Sequence, residues 1–196
     1  SGVELCKRHL NHTAEHVLDP TILLSPADYR KLIGEEGAEK YTNKITAFIL
    51  DRSEDKLAAL EKVSKVLAMD YNFAATETED RLAPLEKRIA PSVADWLKAM
   101  YYADFIFTDS FHGCVFSILF NKPFVLYVNR NRGVARFDSL LKLFKIENRT
   151  LSDSNELESC RIRQSIDWKP INAKLEEMRS KSMRFLENAL TAKDEQ

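Results

Sequence analysis

Two short stretches of this sequence concentrate the residue types that handle a small, negatively charged molecule. The first is Thr108-Asp109-Ser110-Phe111-His112-Gly113, directly after the strand-like run Asp104–Thr108. The second is Asn129-Arg130-Asn131-Arg132-Gly133-Val134-Ala135-Arg136-Phe137, directly after the apolar run Phe124–Val128. An imidazole such as His112 donates a hydrogen bond or acts as an acid near neutral pH. A helix opening at this point presents unsatisfied backbone N–H groups and the positive end of its dipole, and both favour an anion. Gly113 lets a ligand approach the backbone closely. Arg130, Arg132 and Arg136 carry guanidinium forks that match carboxylate and phosphate oxygens. Each stretch also has a plainer reading. Asp109 or Ser110 simply caps the helix while His112 packs locally, and the arginines form a solvated basic loop. Two such loops after successive strands favour an anion-binding rim.

Other chemistry-bearing residues are less organised. His9, His12 and His16 are spaced for one helical face, but no carboxylate pattern completes a metal site and no metal is expected. Cys114 lies inside a nearly all-apolar helix and reads as core rather than nucleophile. Lys169, Lys174 and Arg179 read as a solvated helix face, with contact to an anionic membrane or carrier lipid as the alternative. The Walker phosphate loop, the GxGxxG fingerprint and the GxSxG elbow are all absent.

The elements that must position the two loops follow from periodicity. Ile45–Leu50 and Phe124–Val128 are apolar runs of strand length, Asp104–Thr108 is bounded by Asp109-Ser110, and Asn72–Thr76 is a weaker strand. A short strand is also expected at His16–Leu18 and a short helix at Val3–Leu10. Ser25-Pro26, Ser53 and Ser92 are helix starts, with acidic residues following Ser53 and Asp95 completing a capping box after Ser92. Phe137, Leu140, Leu141 and Phe144 mark an amphipathic helix. Ile171, Leu175, Met178, Phe185 and Leu186 mark one side of a long final helix. Strands alternating with helices predict an α/β domain whose parallel sheet has helices on both faces, because its strands read as continuous apolar runs. Ligands of such sheets bind beyond the carboxyl ends of the strands, where both loops fall. Residues Asn148–Lys169 are polar and irregular, and are expected to wrap the surface.

Composition sets the outer limits. The chain has 196 residues, 44% of them apolar, and a net charge of −1 from 29 Lys plus Arg and 30 Asp plus Glu. That balance excludes a disordered chain and argues against a nucleic-acid partner, which needs a basic face. The odd set Cys6, Cys114 and Cys160, without a CxxC pair, predicts reduced thiols and a cytoplasmic location. No run of about 18 apolar residues predicts a membrane span. The sequence opens at Ser1-Gly2 without an initiating Met or a signal peptide, which suggests part of a longer protein.

These residues resemble the polysaccharide pyruvyl transferase family. The resemblance is carried by Trp96-Leu97, Ala103-Asp104-Phe105, the block from Thr108 to Gly113, Phe116-Ser117 and Asn121–Phe124. Further on it includes Arg132-Gly133, Arg136-Phe137 and Leu140-Leu141. Val17–Thr21 with Leu23-Leu24 forms an earlier match. It implies a Rossmann-like domain, residues 1–196, similar to the C-terminal half of a two-domain enzyme of the glycosyltransferase type called GT-B. Residues 171–196 would form a long helix and tail, and an N-terminal domain would face the loops across a cleft. The implied reaction joins the pyruvyl group of phosphoenolpyruvate to two hydroxyls of a cell-surface polysaccharide or its precursor, as a ketal, and releases phosphate.

On that resemblance His112 and Asp109 are the catalytic candidates, with His112 as phosphate ligand or general acid and Asp109 orienting it. Ser110, Gly113, Arg130, Arg132 and Arg136 are the substrate-binding candidates. The reaction draws on no cofactor beyond the donor substrate, phosphoenolpyruvate. The other partners implied are a glycan acceptor, the N-terminal domain and, through a lipid-linked acceptor, the inner face of a bacterial membrane. An isolated domain is expected to be inactive. Better-known relatives carry an arginine where Ser110 stands, so the donor site is one cation short unless the second loop supplies it. Two other readings fit the same loops: a glycosyltransferase using a nucleotide-sugar donor, and a non-catalytic glycan- or anion-binding domain.

Overall fold

The computed structural model describes residues 2–76, 82–129, 133–158 and 162–191. They fall into two compact units, residues 26–166 and the pair of segments 1–25 and 167–196.

Residues 26–166 are built on a sheet whose strands, among the described residues, are β1 (Lys44–Phe48), β2 (Asp70–Phe73), β3 (Phe105–Thr108), β4 (Phe124–Tyr127) and β5 (Thr150–Leu151). Their order is β2-β1-β3-β4-β5, and every pairing is parallel. β3 and β4 are buried along their whole length, as the continuous apolar runs require. The connecting helices are α4 (Glu54–Leu67), α6 (Val93–Tyr102), α7 (Phe111–Leu119) and α8 (Val134–Phe144). Short helices α3 (Pro26–Arg30) and α5 (Leu85–Arg88) lie in the remaining connections.

The expected α/β class with helices on both faces is what the structure contains. Ile45, Ala47, Phe105, Phe107, Val125 and Tyr127 face α4 and pack with its Ala59, Leu60 and Val63. Each large side chain fully buried in this way contributes about 1.5–3 kcal/mol. The alternate residues face the opposite helices. Thr46 Oγ1 donates to the Ala99 carbonyl of α6 at 3.0 Å, and the Phe48 ring meets Trp96 of α6 at 5.1 Å. Right-handed crossovers demand this division, since the chain leaves β1 in one direction to reach β2 and returns across it to reach β3. The direction reverses between β1 and β3, which makes their carboxyl ends the topological switch point. The helices run back against parallel strands, so the N-termini of α4, α6, α7 and α8 all lie at that same rim.

Local signals explain the starts. Ser53 Oγ accepts from the Lys56 N–H at 3.3 Å, and Ser92 Oγ accepts from the Asp95 N–H at 3.1 Å, forming the expected caps. α7 reaches the sheet closely because Gly113 has no side chain. A Cβ built there would sit 2.1 Å from Thr108 Oγ1 and 2.8 Å from Thr108 Cβ.

In the other unit, α1 (Gly2–Leu5) leads into a π-helical turn at Cys6–Leu10, and α2 (Pro20–Leu23) starts on an Asp19 cap. α9 runs over Trp168–Thr191. The strand expected at His16–Leu18 does not form. The Leu18 N–H donates instead to Ser182 Oγ of α9 at 2.9 Å, and the Arg179 guanidinium donates to the Ile22 carbonyl at 2.9 Å. The buried stripe of α9 is Ile171, Leu175, Met178 and Ser182, while Phe185 and Leu186, expected on the same side, stay exposed. Among the described residues no helix is long and apolar enough to cross a membrane.

Gly113→Ala forces Thr108 and α7 apart, and overpacking of this kind costs at least about 1–3 kcal/mol. Urea unfolding of the variant should show a lower midpoint at unchanged slope.

Candidate functional site

The switch point is held by one carboxylate. Asp109 follows β3, is 0% exposed, and is met by donors from three directions. The Leu50 N–H donates to Oδ1 at 2.7 Å and the Asp51 N–H to Oδ2 at 3.1 Å, both from the loop after β1. Lys56 Nζ, in the first turn of α4, donates to Oδ2 at 2.7 Å and also to the Asp51 carbonyl. Asn129 Nδ2, just beyond β4, donates to Asp109 Oδ2 at 3.2 Å and also to Asp51 Oδ2. A charge taken out of water is tolerated only when paired and fully hydrogen-bonded, and Asp109 meets both conditions. Its carboxylate therefore ties together the loops after β1, β3 and β4. It caps no amide of α7.

Sequence reasoning did not single out Lys56, Asp51 or Asn129. Lys56 carried a signal: a lysine in the first turn of a helix opposes the dipole, although Glu54 and Asp55 beside it obey the rule. Such a local violation needs a tertiary partner, and Asp109 is that partner. A second tie lies nearby. The Tyr127 hydroxyl of β4 and the Ser154 N–H both donate to Asp55 Oδ2. These bonds from Ser154 and Tyr127 hold the Asp55 carboxyl below its ordinary value.

On this frame the predicted site residues separate into two groups. His112 is exposed in the first turn of α7. Its ring meets the Phe111 ring edge-on at 5.7 Å, and the Arg136 guanidinium of α8 lies 5.2 Å from the centre of that same ring. The structure thus brings imidazole and guanidinium to one and the same ring, that of Phe111. Phe137 of α8 also packs on Phe111, at 6.0 Å, fixing the two helix starts together. Ser110 is the N-cap residue of α7 and makes no side-chain capping bond. Gly133 adopts a left-handed φ of 81° immediately before α8. Asp109 and Gly113 are buried instead. The space beside the Gly113 α-carbon is filled by Thr108. Arg130, Arg132 and Cys160 lie outside the described residues. Cys114 is fully buried, and burial pushes its thiol far above the ordinary range, as a core residue rather than a nucleophile would have it. His9, His12 and His16 are exposed, and among the described residues no cluster of three metal-ligating side chains occurs.

The sequence matches the family model for polysaccharide pyruvyl transferase over residues 1–131, two-thirds of its length. The chain belongs to that family. The matched stretch includes the block from Thr108 to Gly113 and ends before Gly133 and Arg136. No curated protein matches the chain in sequence. Among solved structures it is similar to the glycotransferase of kitacinnamycin, with a TM-score of 0.50 and 14% identity, over 74% of this chain and 42% of that one. At that identity the likeness is one of fold, and this polysaccharide pyruvyl transferase family member spans less than half the length of the chain it matches.

Two outcomes test the electrostatic frame. Lys56→Met leaves a buried carboxylate without its cation and should cost about 3–5 kcal/mol in urea unfolding. Asp55→Asn should matter only where the carboxylate is ionised. A lowered folded-state value gives stability that is present above about pH 4 and is lost as pH falls. The stability difference between the parent chain and Asp55→Asn should therefore shrink on acidification from neutral pH.

Proposed function

We propose that this chain forms the donor-binding part of an enzyme that moves the pyruvyl group of phosphoenolpyruvate onto two hydroxyls of a cell-surface glycan or its lipid-linked precursor. The observation that carries the reading is the pairing of His112 and Arg136 about Phe111, at the N-terminus of α7 in a member of this family. Phosphoenolpyruvate carries a phosphate and a carboxylate, so its site needs a helix N-terminus and a guanidinium. Arg136 answers the carboxylate or phosphate. Ser110 leaves the end of α7 uncapped by its side chain, which suits an incoming anion.

In the reaction a proton goes to the methylene carbon of the donor, and positive charge develops at the carbon bearing phosphate. The first sugar hydroxyl adds there and gives up its proton. The carbon–oxygen bond to phosphate then breaks, and the second hydroxyl closes the ketal as its proton is released. One proton ends on the new methyl group and one on phosphate. In this reading His112 delivers the first proton or holds the leaving phosphate. Asp109 acts at a distance, by fixing the start of α7. The enzyme would work on the cytoplasmic side of the membrane that carries its acceptor.

A second reading is a glycosyltransferase with a nucleotide-sugar donor, favoured by the fold shared with a glycotransferase. Thermal shift separates the two, since a ligand that binds the folded state raises its melting temperature. Stabilisation by uridine diphosphate without any by phosphoenolpyruvate would favour the second.

With the intact enzyme and a glycan acceptor, phosphate release from phosphoenolpyruvate should fall about 10²–10⁴-fold in His112→Ala, the range for losing a general acid. An unchanged rate would remove His112 from the mechanism.

A further inference from the structure

Beside the α7 rim lies a groove of about 1110 Å³ that the donor chemistry does not use. It opens between the end of β2, the start of α6 and the turn at Ala38–Lys40. We propose that this groove holds the acceptor glycan as a run of several sugar units, an assignment that rests on the pyruvyl-transfer reading.

Position is the first argument. The groove lies past the carboxyl end of β2 and takes in Arg52 from the loop after β1, a strand that flanks the switch point. Trp96 lines it, and the same indole meets Phe48 at the end of β1 at 5.1 Å and Phe116 of α7 at 5.0 Å. Arg52, another lining residue, follows Asp51, whose N–H is bound to Asp109. Its guanidinium is fixed 4.1 Å over the Phe73 ring and donates to the Thr76 carbonyl at 2.9 Å. Trp96 and Arg52 thus connect the groove to the elements that border the switch point.

Lining chemistry is the second. Cations (Lys40, Arg52, Lys98) alternate with carboxylates (Glu36, Asp95) around the same space. A hydroxyl both accepts and donates, so a polyhydroxylated ligand satisfies both kinds of group, whereas an anion meets repulsion from two of these five. The helix starts differ in the same sense. At α6 the Ser92 hydroxyl donates to Asp95 Oδ2 at 2.7 Å, so a carboxylate already occupies the place an anion would take. At α7 no such cap exists. Phosphate is thus directed to α7 and away from α6. Trp96 and Pro91 add apolar surface for the C–H faces of sugar rings. The volume slightly exceeds the range of about 300–1000 Å³ common for small-ligand sites, which leaves room for more than one sugar.

Trp96 supplies the readout. The other tryptophan of the chain is Trp168, so Trp168→Phe leaves Trp96 as the sole indole emitter. The probes are galactose-, glucose- and mannose-based oligosaccharides of several units, their monosaccharides, and uridine diphosphate. At least one oligosaccharide should change Trp96 emission saturably, with monosaccharides far weaker. Arg52→Ala and Lys98→Gln, both at the groove surface, should weaken that binding about tenfold or more while the circular dichroism spectrum is retained. His112→Ala should leave it unaltered. A response to uridine diphosphate alone, no response to any oligosaccharide, or binding indifferent to Arg52 and Lys98 would each overturn the assignment. The groove and the reaction can fail separately. Saccharide binding without phosphate release from phosphoenolpyruvate retains the groove and removes the pyruvyl reading. Phosphoenolpyruvate turnover whose acceptor KM ignores Arg52→Ala does the reverse.

Discussion

An ionised carboxylate with no access to water must be surrounded by donors, and that requirement at Asp109 organises the working end of the sheet. Its donors come from the loop after β1, the first turn of α4 and Asn129 beyond β4. None of these segments is free to move without leaving charge uncompensated in a dry interior. The arrangement turns a general property of doubly wound sheets, a crevice where strand order reverses, into a crevice of fixed shape. Lys56 is the clearest sign of the constraint. Its charge opposes the dipole of its own helix, and it is held there because the neighbouring carboxylate gains more than the helix loses. Conversion of both partners to apolar residues would not restore the balance, because the Leu50 and Asp51 amides would then lose their acceptor.

A second constraint sets the depth of α7. Thr108 and Gly113 share the space one side chain needs, so the helix start sits against the end of β3. Thr108 Oγ1 donates to the Phe48 carbonyl at 2.7 Å and accepts from the Ser110 N–H at 3.0 Å, so the same side chain fixes both β1 and the α7 entry. His112 gains its place from this geometry and not from any bond to Asp109. Phe111 then contacts both groups, with the imidazole in a T-shaped contact and the Arg136 guanidinium 5.2 Å from its ring centre.

Much of the fold was legible because its signals are local. The runs at β1, β3 and β4, the serine caps of α4 and α6, and the i, i+3, i+4, i+7 spacing of α8 need no knowledge of the rest of the chain. What was not legible depended on partners far away in sequence. β5 is only Thr150–Leu151, too short for any period to show, and it exists because the edge of β4 accepts it. The residues at His16–Leu18 have strand-like composition, but the Leu18 N–H is claimed by Ser182, 164 positions on. The candidate site was readable as a place and only partly as a set of roles. His112 and Arg136 were found by residue type and loop position. Asp109 looked like a group to orient the histidine, and its carboxylate is wholly engaged with Lys56, Asn129 and two amides.

The two helix starts beside the switch point carry opposite electrostatic instructions, and this follows from two cap residues of the same type. Ser92 has Asp95 three positions later, and the pair closes the end of α6 with a carboxylate. Ser110 has Gly113 three positions later, because Thr108 tolerates nothing larger there. The glycine that lets α7 approach the sheet thus also denies it a capping-box acid. The packing demand between Thr108 and Gly113 and the openness of the α7 N-terminus to an anion are consequences of one residue choice. At α6 the Ser92–Asp95 pair closes the helix start, and the mixed-charge groove beside it suits neutral hydroxyls. On the proposed function, a donor bearing two negative groups and the neutral hydroxyls of an acceptor would then be directed to neighbouring helix starts at one rim of the sheet.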